Sequence, residues 1–267
     1  MDPVRADPLT DGPLYSHVHG PIAGYVVHPL LRNTRPPSLD QFTLSALVLG
    51  LCGAVAILLA SPHSTDWLVP AWLLFAATIA GRCRRLLAPG DAANGLLDLL
   101  VGSAFWLALS LRAAPLATLG STLALLAIGS AVGHGVLYTQ VRARFARLTG
   151  EPEGEDAARG LSAALGPVLA ASQRRFAAAL LGPELRDDLP SPSQARALLA
   201  GAMKMATLLG PDTHLALAYA AAALSALDVG WSYWIATLAV LVGLNLWALM
   251  VVLAWRRAEA LVRRVGA

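Results

Sequence analysis

The chain has 267 residues, 56% hydrophobic and only 14% charged, with a mean hydropathy of +0.58; this balance excludes an ordinary soluble globular domain and makes lipid the expected solvent. The formal charge is +3 and the pI near 9.2, yet the basic residues stand in short clusters beside apolar segments. No basic groove or recognition motif accompanies them, so nucleic acid is not an expected partner.

The N-terminal segment, 1–38, is polar and Pro-rich and lacks the short apolar core and small-residue cleavage site of a secretory signal, so insertion is expected to begin with the first true span. Within it, Val18 to Arg32 is apolar and carries His19 and His28, the pattern of an interfacial helix on the cytoplasmic side. The strongest span runs from Phe42 to Ala60 without a charge, long enough at about 1.5 Å per residue to cross nearly all of a hydrocarbon layer of about 30 Å. Further spans are expected at Trp67 to Gly81, Leu96 to Leu111, Leu116 to Tyr138, Thr213 to Asp228 and Trp231 to Trp255. The fold class is thus an all-α polytopic membrane protein with six transmembrane helices and a membrane domain over 39–256.

Charge placement supports six crossings. With the N-terminus in the cytoplasm, Arg112 is the one basic residue left outside, whereas Arg82, Arg84, Arg85, Arg142, Arg144, Arg147, Lys204, Arg256, Arg257, Arg263 and Arg264 all fall inside. Both termini are then cytoplasmic, in the cell (inner) membrane, with a basic tail at 257–267. Between spans four and five, a cytoplasmic insert at about 139–211 holds an acidic turn, Glu151 to Asp156, and amphipathic stretches at Ala157 to Leu181 and Ser193 to Leu209, expected as helices on the cytoplasmic interface.

Isolated polar residues have modest expected roles. Cys52, in an apolar run, and Cys83, in a basic turn, make neither a disulfide framework nor a metal pair. His17 and His19 alternate near a flexible terminus, and His134 lies between Gly133 and Gly135, where a packed, hydrogen-bonded residue at a close helix approach is expected rather than a ligand. Trp67, Trp72, Trp231, Trp234, Trp247 and Trp255 mostly fall near span ends, as an interfacial belt requires.

The informative stretch joins spans two and three: Ala77, Ala80, Gly81, Arg84 and Arg85, then Asn94, Asp98 and Gly102. Its layout resembles the signature of the CDP-alcohol phosphotransferase family, D-x2-D-G-x2-A-R-x8-G-x3-D-x3-D. Gly81, Arg85 and Asp98 match; Ala77 and Ala80 stand at the first two aspartates, Arg84 at the alanine, Asn94 at the second glycine and Gly102 at the last aspartate. Leu39-Asp40-Gln41-Phe42-Thr43 resembles the family's P-N-Q-V-T lead-in, keeping Gln41 and Thr43. Tyr138 to Gly150 is similar to its basic segment after span four, and Lys204 to Asp212 to its G-R-D lead-in to span five, keeping Gly210 and Asp212.

The resemblance implies a six-helix homodimer acting on CDP-diacylglycerol and an alcohol, with four aspartates holding divalent ions and the last acting as base. Divalent cations need clustered oxygen ligands. With Ala77, Ala80 and Gly102 in place of three aspartates, only Asp98 is kept, so neither the metal pair nor the base is expected here. Three readings follow. In the first, the chain is a catalytically silent relative that binds membrane lipids or partners an active enzyme, with Gly81, Arg84 and Arg85 at a lipid or nucleotide phosphate. In the second, Asp91, Asn94 and Asp98, spaced on one helix face, rebuild an atypical Mg²⁺ or Mn²⁺ site and the chain remains a CMP-releasing transferase. Against it, Pro89-Gly90 is a turn signal that makes Asp91 a helix cap, and Asp98 has Arg82 or Arg85 within reach across the turn. The third, a small transporter, lacks the broken helices and intramembrane acids it would need.

Overall fold

The computed structural model describes residues 12–31, 37–61, 64–87, 93–113, 118–151, 171, 175–176, 178–183 and 190–266. Among these every regular element is helical. A π-turn, Tyr15–His19, leads into α1, Gly20–Leu31; then come α2, Leu39–Leu59, α3, Leu68–Leu87, α4, Ala93–Ala113, and α5, Thr118–Thr149. After the insert follow α6, Pro192–Ala206, α7, Pro211–Leu224, α8, Val229–Leu238, and α9, Asn245–Gly266, the last two joined through a π-helical stretch, Ala239–Leu244.

Among the described residues three helical runs are long and apolar enough to cross a membrane: Leu39–Leu59, Gly120–Thr149 and Val229–Gly266. A shorter apolar helix covers Leu100–Ala113. The chain is therefore an all-α protein built around membrane-length helices. α3 carries Arg82, Arg84 and Arg85 in its last two turns, and α7 has only 14 residues, which is why neither reaches that length of unbroken apolar chain.

Local chemistry explains the helix ends. Ser38 accepts from the Gln41 backbone N–H at 3.2 Å while the Gln41 side chain accepts from the Ser38 N–H at 2.8 Å, a reciprocal capping box that starts α2. The lead-in residue Gln41 thus has a structural role at a helix start. Asp228 caps α8, accepting from the Trp231 N–H at 2.7 Å. Arg112 donates to the Ala60 carbonyl at 2.7 Å, placing a cation at the carbonyl end of α2.

Among the described residues two large apolar cores and a smaller one, where α1 packs on α3, lie along the bundle. The first gathers Ala46 and Ile57 of α2, Leu74 of α3, Phe105 and Leu109 of α4, Leu215 and Ala222 of α7, and Tyr233 of α8. The second gathers Val141 and Phe145 near the end of α5, Leu181, Leu199 and Met203 of α6, and Val251, Trp255 and Val262 of α9. α5 has 32 residues, about 48 Å, longer than the roughly 30 Å of a hydrocarbon layer, and the α8–α9 run is longer still. The second core is built on the C-terminal part of α5 and on α9.

Several sequence expectations change as a result. The amphipathic stretch over Ser193 to Leu209 is helical, and its apolar face packs into the second core through Leu199 and Met203. Residues 257–266, expected as a basic tail, continue α9 as helix, with Ala258 and Val262 in the same core. Most of Ala157 to Leu181 lies outside the described residues. Trp67 and Trp255 are fully buried core residues, unlike the exposed Trp72 and Trp231, because each indole fills a core that smaller side chains leave open. A Cβ on Gly133 or Gly135 would meet nothing within 4 Å, so close helix approach occurs elsewhere. It occurs at Gly50 of α2, where a Cβ would lie 2.6 Å from a Val101 methyl.

Candidate functional site

The motif residues converge where α3, α4, α7 and the N-terminal segment meet. Arg82, in the fourth turn of α3, is 1% exposed. Its Nε donates to Asp212 Oδ1 at 2.8 Å and its Nη1 to Asp98 Oδ2 at 3.0 Å, so one guanidinium joins α3 to both α4 and α7. A buried charge is tolerated only when paired and hydrogen-bonded, and this forked geometry serves two carboxylates at once.

Asp212 is placed by the Gly210-Pro211-Asp212 turn. A Cβ on Gly210 would lie 3.1 Å from the Thr207 carbonyl oxygen and 3.6 Å from the Tyr138 ring, so glycine permits the close approach, and Pro211 occupies the first turn of α7, where its missing N–H costs nothing. Asp212 stands in that first turn, where a carboxylate is favoured by the helix dipole. Its Oδ1 also accepts from His19 Nδ1 at 2.8 Å, and its Oδ2 faces Arg85 Nη1 at 3.9 Å. The other nitrogen of His19, Nε2, lies 3.2 Å from the Tyr219 hydroxyl, which can donate to it. Arg85 sits over the Tyr15 ring at 4.9 Å.

The sequence-derived candidates distribute around this cluster. A small cleft beside it is lined by Ala77, Thr78, Leu97, Asp98 and Leu215. Ala77 is buried, and Ala80 packs on the first core. A Cβ on Gly81 would come within 3.9 Å of Asp98 Oδ1, while one on Gly102 would meet nothing within 4 Å. Arg84 is buried. Asp91 lies outside the described residues, and of Asn94 only the backbone is described, within α4. His19 is not on a loose terminus: it is fully buried in the cluster, because Asp212 and Tyr219 give both its ring nitrogens partners.

A pair of divalent ions needs several oxygen ligands on each. Ala77 and Ala80 supply no lone pairs and Gly102 has no side chain, while Asp98 and Asp212 are already held by Arg82. Among the described residues no three His, Cys, Asp or Glu side chains stand together as a metal would require. The described residues at this cluster do not fit a two-metal centre.

Sequence reasoning missed Arg82 as the hub, because the motif leaves its position unrestricted, and missed His19 and Tyr219, which lie 193 and 7 positions from Asp212. A basic residue one turn before a span carrying an acid was the one available signal. A second polar group stands on the other side of α7. His134 and His214 stack with ring centroids 5.3 Å apart. His134 Nε2 lies 3.1 Å from Asn245 Oδ1, and Asn245 donates to Ser130 at 2.9 Å. No protein-family model, curated protein or solved structure matches this chain.

Proposed function

We propose that this chain is a membrane-embedded relative of the CDP-alcohol phosphotransferases that has exchanged a metal centre for an internal salt-bridge cluster. On this reading it serves phospholipid metabolism as a lipid-binding or dimeric partner, not through two-metal catalysis. It rests in the inner membrane on six crossing helices, α2 to α5, α7 and α8–α9, with both ends and the second core in the cytoplasm; the inward bias of Arg and Lys supports that orientation. Gly81, Arg84 and Arg85 stand at the phosphate of a bound lipid.

The observation that carries the proposal is Arg82 paired at 3.0 Å with Asp98 and at 2.8 Å with Asp212. Of the family's motif aspartates the chain keeps Asp98, and a protein cation already neutralises it. Metal-dependent phosphoryl chemistry requires the reverse, carboxylates held open for the ion. Membranes containing the protein, given CDP-diacylglycerol, Mg²⁺ or Mn²⁺ and a panel of alcohols, should release no CMP. Release that disappears in Asp98→Ala would establish an atypical active transferase instead.

A further inference from the structure

The mouth of the cluster is closed by the chain's own N-terminal segment. Tyr15–His19 forms a single π-turn, and Gly20 is what that turn needs, since a Cβ there would lie 2.7 Å from the Tyr15 carbonyl oxygen. The turn delivers two buried side chains to the cluster: His19 to Asp212 and Tyr219, and Tyr15 to the face of Arg85. α1 then seals the flank, with Ala23 and Val27 packed on Ile79 and Cys83 of α3. The Cys83 thiol points at the Ala23 carbonyl, 3.7 Å away, and is 0% exposed. The opposite face of α1 is open, with Tyr25 82% exposed.

We infer that Tyr15–Leu31 is an autoinhibitory cover, and that a phosphate ester reaches Arg85 only when the cover lifts. The inference rests on the proposed reading of Arg85 as a phosphate-binding residue and adds its regulation. A phosphate offers a guanidinium charge-assisted, bidentate hydrogen bonds, a stronger interaction than the Tyr15 face and the 3.9 Å approach of Asp212 that now hold Arg85. Phosphate and Tyr15 therefore compete for one side chain. The exposed apolar face of α1 gives the displaced helix a place to go, the membrane interface.

Cys83 is a built-in reporter. The full chain carrying Cys52→Ser, reconstituted in phosphatidylcholine vesicles with or without phosphatidic acid, would be treated with a maleimide and the rate of Cys83 labelling followed. Labelling should be slow in phosphatidylcholine and rise about tenfold or more in Tyr15→Leu or in His19→Gln, the loss of one such contact being worth about that factor. Phosphatidic acid should raise labelling of the parent chain; Arg85→Gln, which deletes the same contact as Tyr15→Leu, should raise labelling without the lipid, and phosphatidic acid should then add nothing. Inorganic phosphate in solution reproducing the response would identify a free phosphate as a sufficient ligand; only the lipid doing so would identify the headgroup; either supports the inference.

Binding of phosphatidic acid, measured directly, separates the two claims. If parent and Tyr15→Leu chains bind equally and Arg85→Gln abolishes it, the phosphate site stands and the cover is overturned. If Arg85→Gln binds as well as Tyr15→Leu, the phosphate assignment falls and the cover with it. Rapid Cys83 labelling in the unmodified phosphatidylcholine sample would also overturn the cover.

Discussion

Arg82 brings a full charge into a place that is 1% exposed, and two carboxylates meet it there. Removing one member of such a group is more damaging than replacing all of it, because it strands the others in a medium that cannot solvate them. Arg82→Ala should therefore cost about 3–5 kcal/mol, read as loss of cooperative unfolding stability in detergent. Because the variant leaves two carboxylates facing each other, added Mg²⁺ or Mn²⁺ should restore part of that loss, whereas the parent chain should be indifferent to either ion. Arg82→Lys should recover little, since an ammonium lacks the fork that serves both acids. At this scale the sequence is partly readable: resemblance singled out Asp98 and Asp212, and the pairing of Asp98 across the turn was foreseeable. The meeting of His19 with Asp212 was not, because nothing local links residues separated by 193 positions.

At the scale of the elements, hydropathy marked α2, α5 and the α8–α9 run correctly because unbroken apolar length is a one-dimensional property. It did not foresee that Trp67 and Trp255 are buried, since proximity to a span end does not distinguish an exposed indole from one filling a core. Glycine was equally ambiguous: Gly133 and Gly135 flank a polar residue yet have open space around them, while Gly50 receives Val101. Gly50→Ala would force a methyl to within 2.6 Å of that side chain, and overpacking of this kind costs about 1–3 kcal/mol. The same substitution at Gly133 should change thermal stability far less, and comparing the two melting temperatures checks the assignment of the α2–α4 contact.

The whole molecule is a bundle with a second layer, and that layer was the least readable feature of the chain. Its basic residues look like membrane flanks, but Arg144 pairs with Glu259 at 3.4 Å and donates to the Gly182 carbonyl at 2.7 Å. Arg256 likewise donates to the Leu180 carbonyl at 2.7 Å. Charge count alone cannot tell an arginine that greets lipid headgroups from one that ties down the end of a helix. Ending the chain after Trp255 removes Ala258 and Val262 from the second core and, with the buried Glu259, leaves Arg144 without its acid. The shortened protein should lose stability and become sensitive to proteolysis around 178–183, where a loosely attached tail would be dispensable.

The helical run from Val229 to Gly266 is continuous, and its C-terminal part is clamped by its neighbours in the second core. A fluorophore fused behind Gly266 would therefore ride on a stiff mast rather than a slack tether. Its orientation would register any tilt of that helix against the rest of the bundle, giving an optical view of internal motion from a label at the chain's far end.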